Sequence, residues 1–138
     1  MLMKTKILDC TLRDGGYYTN WDFSSEVVKT YIETTNKLPV DYLEVGYRNK
    51  PTKEYMGKFG YTPVSILKKL RKSSKKKLAV MLNEKSTLPE DLDELLTPIK
   101  GLADMVRLAV DPKNFERAVV LAKAVKAMGF EVAFNTMY

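Results

Sequence analysis

An arginine and an aspartate stand side by side where an apolar run of the sequence ends, at Arg13-Asp14, and two glycines follow at Gly15 and Gly16. Residues 6–12 carry apolar and β-branched side chains at alternate positions, which predicts a β-strand. The glycines have no Cβ, so the chain can turn sharply or approach a ligand there. A charged pair at the carboxyl end of a strand is typical of the catalytic end of an α/β protein. An ordinary surface ion pair is the alternative interpretation.

Alternating strand and helix patterns along the chain predict the elements that would position this pair. Strands are predicted at 6–12, 42–45, 78–82, 105–109 and 130–137. Helices are predicted at 25–37, 63–71, 88–99 and 115–128. Such alternation indicates an α/β fold with a parallel sheet. A doubly wound sheet and half of a (β/α)8 barrel both fit, and the absence of G-x-G-x-x-G after the first strand argues against a dinucleotide site.

The segment Thr11-Leu12-Arg13-Asp14-Gly15 resembles the signature that opens the first strand of the DRE-TIM metallolyase superfamily. Its ending in Asp-Gly is most similar to the 4-hydroxy-2-oxovalerate aldolase-like branch. The resemblance implies a partial TIM (β/α)8 barrel, about (βα)4β5, with a parallel sheet inside and helices outside. A closed barrel takes about 250 residues. Residues 1–138 are therefore expected to be the N-terminal portion of an aldolase-type catalytic domain, truncated after strand five and inactive alone.

The same resemblance implies roles for individual residues. Asp14 would bind a divalent metal, Mn²⁺ or Mg²⁺ first and Zn²⁺ as an alternative, with the remaining ligands outside this chain. Arg13 would contact the substrate carbonyl and stabilise an enolate. Tyr17 stands where aldolases of this branch have a catalytic histidine, and Glu44 where relatives carry an acidic residue. The implied reaction cleaves or forms a C–C bond next to the carbonyl of a 2-oxo acid, because a Lewis acid and a guanidinium both stabilise an enolate.

Polar residues recur near the ends of all five predicted strands. Since alternate residues of a barrel strand point inward, an inward Arg13 predicts inward Asp9 and Thr11. The same counting places Glu44, Arg107 and Asn135 around one substrate-binding mouth, together with Asn83. Hydrogen-bonded core groups are the alternative for each of them, and an ion pair of Glu44 with Arg13 or Arg107 is the simplest structural explanation.

Two departures from the pattern of the superfamily leave other functions open. The chain has no histidine, whereas the superfamily completes its metal site with a His-x-His pair, and a tyrosine with a pKa near 10 is a weak base at neutral pH. An acyl-CoA condensing synthase of the same superfamily is one alternative, although no glutamine follows the Arg-Asp pair. A Schiff-base aldolase is a second alternative. It needs a lysine inside the barrel, whereas the lysines here lie on predicted helices, loops and strand beginnings. A non-catalytic half-barrel that serves binding or assembly is the remaining alternative.

The composition limits the cellular location and the binding partners that we expect. The net charge of +6 arises largely from one basic run without interleaved aromatic residues, so we expect a solvated helix face and no nucleic-acid binding. No apolar run approaches membrane-spanning length, and the single cysteine, Cys10, favours a cytoplasmic location. Unpaired edges on the first and fifth strands predict self-association of the isolated chain.

Overall fold

The computed structural model describes residues 2–137 and contains five strands and six α-helices among them. The strands are β1 (Leu8–Asp9), β2 (Tyr42–Tyr47), β3 (Lys77–Asn83), β4 (Met105–Val110) and β5 (Glu131–Thr136). The helices are α1 (Thr11–Asp14), α2 (Ser25–Thr35), α3 (Lys58–Tyr61), α4 (Val64–Ser73), α5 (Leu92–Leu96) and α6 (Phe115–Ala127). Short 3₁₀ turns lie at Gly15–Tyr18, Glu84–Ser86, Pro89–Asp91, Thr97–Ile99 and Pro112–Asn114.

All neighbouring strands are parallel, and their spatial order is the order of the sequence, β1-β2-β3-β4-β5. A doubly wound sheet reverses its strand order at a switch point, and this sheet does not. The strands form a curled half-barrel with helices around it, which confirms the predicted α/β partial barrel. Because the sheet is parallel throughout, the carboxyl ends of all five strands lie at one edge.

The two faces of the sheet bury different side chains. The outer face packs against the helices through an aliphatic core to which β2, β3 and β4 contribute fully buried residues such as Leu43, Val80 and Leu108. On the inner face, a smaller buried cluster joins Tyr47, Met81 and Ala109, and the ring of Trp21 packs against it. Buried side chains therefore pack on both faces of the sheet, with the larger core on the outer face.

Local signals explain where several elements begin and end. The Ser24 hydroxyl accepts the Val27 N–H at 3.2 Å and caps α2. Helix α6 is followed by Gly129 at φ +96°, a left-handed conformation that glycine adopts at no steric cost. These starts and stops agree with the predicted elements to within a few residues.

Other predicted boundaries are wrong, most importantly in the first strand. The predicted strand 6–12 pairs with β2 only at Leu8–Asp9, and residues Thr11–Asp14 already form a helical turn. The predicted helix 88–99 is two 3₁₀ turns around the short α5, with Pro98 in the second turn, where it interrupts regular helical hydrogen bonding. The segment between the predicted strand 42–45 and the predicted helix 63–71, for which the pattern predicts no helix or strand, contains α3. Among residues 2–137, no helix is long and apolar enough to cross a membrane.

Candidate functional site

The side chain of Arg13 is held at the carboxyl end of the sheet by a fully buried carboxylate. Its Nε–H donates to Glu44 Oε1 at 2.7 Å. Arg13 is 7% exposed and Glu44 is 0% exposed. Burial alone lowers the pKa of Arg13, but the hydrogen bond and the charge of Glu44 raise it by more, so the net shift is upward. The guanidinium therefore stays charged in a place that water hardly reaches.

Glu44 also pairs with a second arginine, on the far side of β3. Arg107 Nη2 donates to Glu44 Oε1 at 3.1 Å. Arg107 Nε lies 2.7 Å from Glu44 Oε2, which is close enough for an ion pair. The Nε–H is not aligned with that oxygen, so neither atom has a hydrogen-bond partner among the described residues. We therefore count this contact as an ion pair. The sequence interpretation offered one arginine or the other as partner, and the structure brings both to one carboxylate.

Asp14 differs from Arg13 in being directed toward solvent. Its side chain is 68% exposed, and Oδ1 lies 3.2 Å from Arg13 Nη1. The helical turn α1 explains the contrast, because consecutive residues of a helix point in directions about 100° apart. Arg13 is thereby directed into the sheet and Asp14 to the open mouth above it. No group of three His, Cys, Asp or Glu side chains that could hold a metal exists within residues 2–137.

Tyr17 belongs to an aromatic cluster beside Arg13, of which sequence reasoning missed one member, Tyr47. Its hydroxyl and that of Tyr47 are 2.8 Å apart. The ring of Trp21 stands edge-on to both, with centroids 4.7 Å from Tyr17 and 5.7 Å from Tyr47. The Arg13 guanidinium carbon lies 5.9 Å from the centroid of the Tyr47 ring, a cation–π distance. The cluster thus covers the inner face next to the guanidinium.

A β-bulge explains why Tyr47 was not predicted as a site residue. The register of β2 against β3 shifts between Glu44 and Gly46, so Glu44 and Tyr47 reach the same face although they are three residues apart. Strict alternation would send them to opposite faces. The available signal was Gly46 itself, since a glycine inside a strand often marks a bulge or a close approach; a Cβ there would overlap the carbonyl oxygen of Phe59.

Asp9 and Thr11 do not point inward, contrary to the predicted alternation. Asp9 Oδ1 accepts the Tyr31 O–H of α2 at 2.5 Å and the Thr11 N–H at 3.0 Å, and Thr11 is exposed. The alternation fails because the strand ends at Asp9 and the backbone turns helical before Arg13. Burial raises the pKa of Asp9, but these hydrogen bonds outweigh it and leave the pKa lowered.

The remaining predicted residues lie along the same edge of the sheet. Asn135 of β5 is level with Ala109 of β4 and is half-buried, and no side-chain hydrogen bond within residues 2–137 connects it to the group of Arg13, Glu44 and Arg107. Beside it, at the ends of β3, β4 and β5, a cavity of about 810 Å³ is lined by Asn83, Glu84, Ala109 and Arg117 among others. The substrate-binding roles of Glu44, Arg107 and Asn135 stay predictions.

Comparison with solved structures identifies a close structural relative. The chain is similar to the crystal structure of the N-terminal domain of a "putative aldolase" from Bacteroides vulgatus, with 72% sequence identity and a TM-score of 0.95. The match covers 97% of this chain and 45% of that chain, so the chain spans less than half the length of this relative. No family model and no curated protein matches the sequence. The chain therefore has an aldolase-like fold and is homologous to that N-terminal domain.

Proposed function

We propose that the complete protein containing this chain is a divalent-metal-dependent aldolase or lyase acting on a 2-oxo acid. The reaction makes or breaks the C–C bond between the carbon next to the 2-oxo carbonyl and the carbon beyond it, and the electron pair of that bond is held on the first of these carbons as an enolate. The observation that carries the proposal is the contrast between two adjacent residues, the buried Arg13 fixed by Glu44 at 2.7 Å and the exposed Asp14 at the mouth. The aldolase-like fold and the resemblance of residues 11–15 to the DRE-TIM signature support it.

Arg13 is suited to bind the oxygen of an enolate. Its Nε–H is committed to Glu44, which fixes the plane of the guanidinium, while Nη1 lies near the mouth at 3.2 Å from Asp14. The backbone is fixed as well, since the Trp21 Nε1–H donates to the Arg13 carbonyl at 2.8 Å. A donor that is already oriented needs no reorganisation when negative charge develops on the substrate, and its effect is greatest where water is excluded.

The donor set of this chain fits a divalent metal only in part. Asp14 presents an exposed carboxylate, a hard oxygen ligand that suits Mn²⁺ and Mg²⁺. One carboxylate does not make a site, and residues 2–137 contain no group of three candidate ligands. We propose that Asp14 is one ligand and that the others come from outside this chain. A metal bound there would act as a Lewis acid on the carbonyl oxygen of the substrate.

The test is hydrogen–deuterium exchange at the methyl group of pyruvate, followed by NMR in D₂O with the complete gene product. Pyruvate is the smallest 2-oxo acid that forms an enolate, so exchange reports the half-reaction without knowledge of the aldehyde partner. We expect exchange that requires Mn²⁺ or Mg²⁺ and stops with a chelator. Arg13→Lys should slow exchange by about 10²–10³-fold, as expected for the loss of an oriented oxyanion donor.

The metal assignment has a matched control. Asp14→Asn should abolish metal-dependent exchange and weaken Mn²⁺ binding in a titration followed by electron paramagnetic resonance. Glu33→Gln removes a carboxylate of similar exposure, 61% against 68%, on the outer helix α2, and should change neither measurement. Unchanged Mn²⁺ binding by Asp14→Asn would remove Asp14 from the metal site. If the wild type shows exchange with neither Mn²⁺ nor Mg²⁺, the proposed reaction is overturned.

A further inference from the structure

Tyr17 and Tyr47 form a hydroxyl pair whose two members differ sharply in exposure. Their oxygens are 2.8 Å apart, yet Tyr17 is 62% exposed and Tyr47 is 4% exposed. Tyr47 is anchored in the sheet, packed with Met81 and Ala109 on the inner face. Tyr17 lies on a short 3₁₀ turn with its ring at the mouth. The inner tyrosine can therefore hold the outer one in place, while only the outer one can meet a substrate.

The backbone around Trp21 is strained in a way that keeps this pair together. Asn20 and Trp21 have φ angles of +51° and +57°, and a bulky residue in this left-handed region is unusual and costs energy. The conformation is held by the Trp21 N–H bond to Gly16 O at 2.9 Å and by the Phe59 N–H bond to Trp21 O at 3.2 Å. It places the indole against both tyrosine rings.

Electrostatics keep the inner hydroxyl protonated. Burial raises the pKa of Tyr47, and the hydrogen bond with Tyr17 adds to that rise, while the nearby charge of Arg13 acts in the opposite direction without cancelling it. A phenol that keeps its proton can donate its O–H to the oxygen of Tyr17. Tyr17 is then free to direct its own proton outward, toward the mouth where Asp14 is exposed.

We propose that Tyr17 is the acid that protonates the enolate carbon and that Tyr47 is its positioning residue. In this step the electron pair of the enolate forms a new C–H bond at the carbon next to the carbonyl, and the O–H bond of Tyr17 breaks. The resulting phenolate accepts the O–H of Tyr47, and it regains a proton from solvent because Tyr17 is exposed. The inference rests on the proposed enolate chemistry and names the acid for it.

Three phenylalanine variants of the complete protein test the pair through the same pyruvate exchange reaction. Tyr17→Phe should lower the rate constant of exchange by about 10²–10⁴-fold, the usual contribution of a general acid or base. Tyr47→Phe should lower it by about tenfold, the effect of losing one hydrogen bond, and should shift the pH profile of the rate constant with KM unchanged. Tyr18→Phe is the control, since Tyr18 neighbours Tyr17 and is 93% exposed, and it should exchange at the wild-type rate.

The double variant distinguishes a positioning role from a merely structural one. If Tyr47 acts only through Tyr17, then Tyr17→Phe with Tyr47→Phe should be no slower than Tyr17→Phe alone. Oxalate resembles the planar enolate of pyruvate, and its affinity for the complete protein, measured by isothermal titration calorimetry, should be unchanged by Tyr47→Phe.

Two outcomes would overturn this inference alone, and a third would also overturn the proposed reaction. If the Tyr17→Phe variant exchanges pyruvate at the wild-type rate, Tyr17 is not the acid. A tenfold loss on adding Tyr47→Phe to Tyr17→Phe would show that Tyr47 does not act through it. Both results leave the proposed aldolase reaction intact, provided that the wild type exchanges pyruvate. A wild type that fails to exchange would instead remove the proposed reaction itself and the acid with it.

Discussion

The carboxylate of Glu44 accepts the Arg13 Nε–H at 2.7 Å with none of its surface exposed. The two residues are 31 positions apart and come from different elements, α1 and β2. Arg107 approaches the same carboxylate from β4, so one buried negative charge lies between two positive ones. Such a group is stable only as a whole, because each buried charge depends on its partners.

Replacing Glu44 with glutamine should therefore be strongly destabilising. Glu44→Gln leaves two guanidiniums near one another with only the exposed Asp14 as a counter-charge, and we expect the free energy of unfolding to fall by about 3–5 kcal/mol, as for a broken buried ion pair. Urea denaturation of the 138-residue chain measures the change. Glu33→Gln, which breaks an exposed pair with Lys29, should change stability by less than about 1 kcal/mol. Equal effects of the two variants would contradict the importance of the buried group.

The two adjacent glycines should respond differently to alanine. A Cβ on Gly16 would overlap the Trp21 indole, whereas a Cβ on Gly15 meets only Phe23, at 4.0 Å. Gly16→Ala should destabilise the chain by about 1–3 kcal/mol, as overpacking does, and change the fluorescence of Trp21. Gly15→Ala should be neutral or stabilise by up to about 1 kcal/mol, because it restricts the unfolded chain. Similar denaturation midpoints for both variants would mean that the indole does not depend on Gly16.

The bond between Tyr31 and Asp9 should contribute to stability only within a window of pH. The pKa of Asp9 is lowered, so its contribution is present above its usual pKa near 4 and is lost as pH falls through the lowered value. Burial, followed by the bond to Asp9, raises the pKa of Tyr31, so the unfolded chain releases that proton first above about pH 10.

Comparison with Tyr31→Phe makes this window measurable. The stability difference between wild type and Tyr31→Phe should be constant between about pH 5 and 9 and should shrink on both sides of that range. Denaturation across pH measures it. Tyr18→Phe removes an exposed hydroxyl and should give a small difference that is the same at every pH. A flat difference for Tyr31→Phe as well would refute the role of this bond.

The edges of the sheet should make the isolated chain associate. In the described residues, β1 pairs only with β2 and β5 pairs only with β4, so each has an unpaired side, and unpaired strands tend to pair with other chains. Light scattering of the 138-residue chain at micromolar concentration should give about twice the mass of one chain. A monomeric mass across that concentration range would count against association.

The sequence alone was sufficient for the succession of strands and helices along the chain and for the charged pair that follows the first strand. Strands β3 and β4 and helix α6 are encoded by short apolar runs and helical spacing, signals that operate over a few residues. The position of Gly129 after α6 is likewise local. The resemblance of residues 11–15 selected the barrel over the doubly wound sheet, which periodicity did not separate.

Tertiary structure decided which of those residues meet. The bulge at Gly46 directs Tyr47 to the inner face. Because β1 ends at Asp9, Asp9 bonds to Tyr31 of α2 and Arg13 reaches Glu44 of β2. Pattern counting assumes an unbroken alternation, and one inserted residue or one helical turn reverses it. Contacts between residues tens of positions apart depend on such shifts and on packing across elements. The sequence by itself thus determined the architecture and the candidate Arg13-Asp14 pair, whereas only the folded chain assembled the two arginines on Glu44 and the two tyrosines beside Trp21.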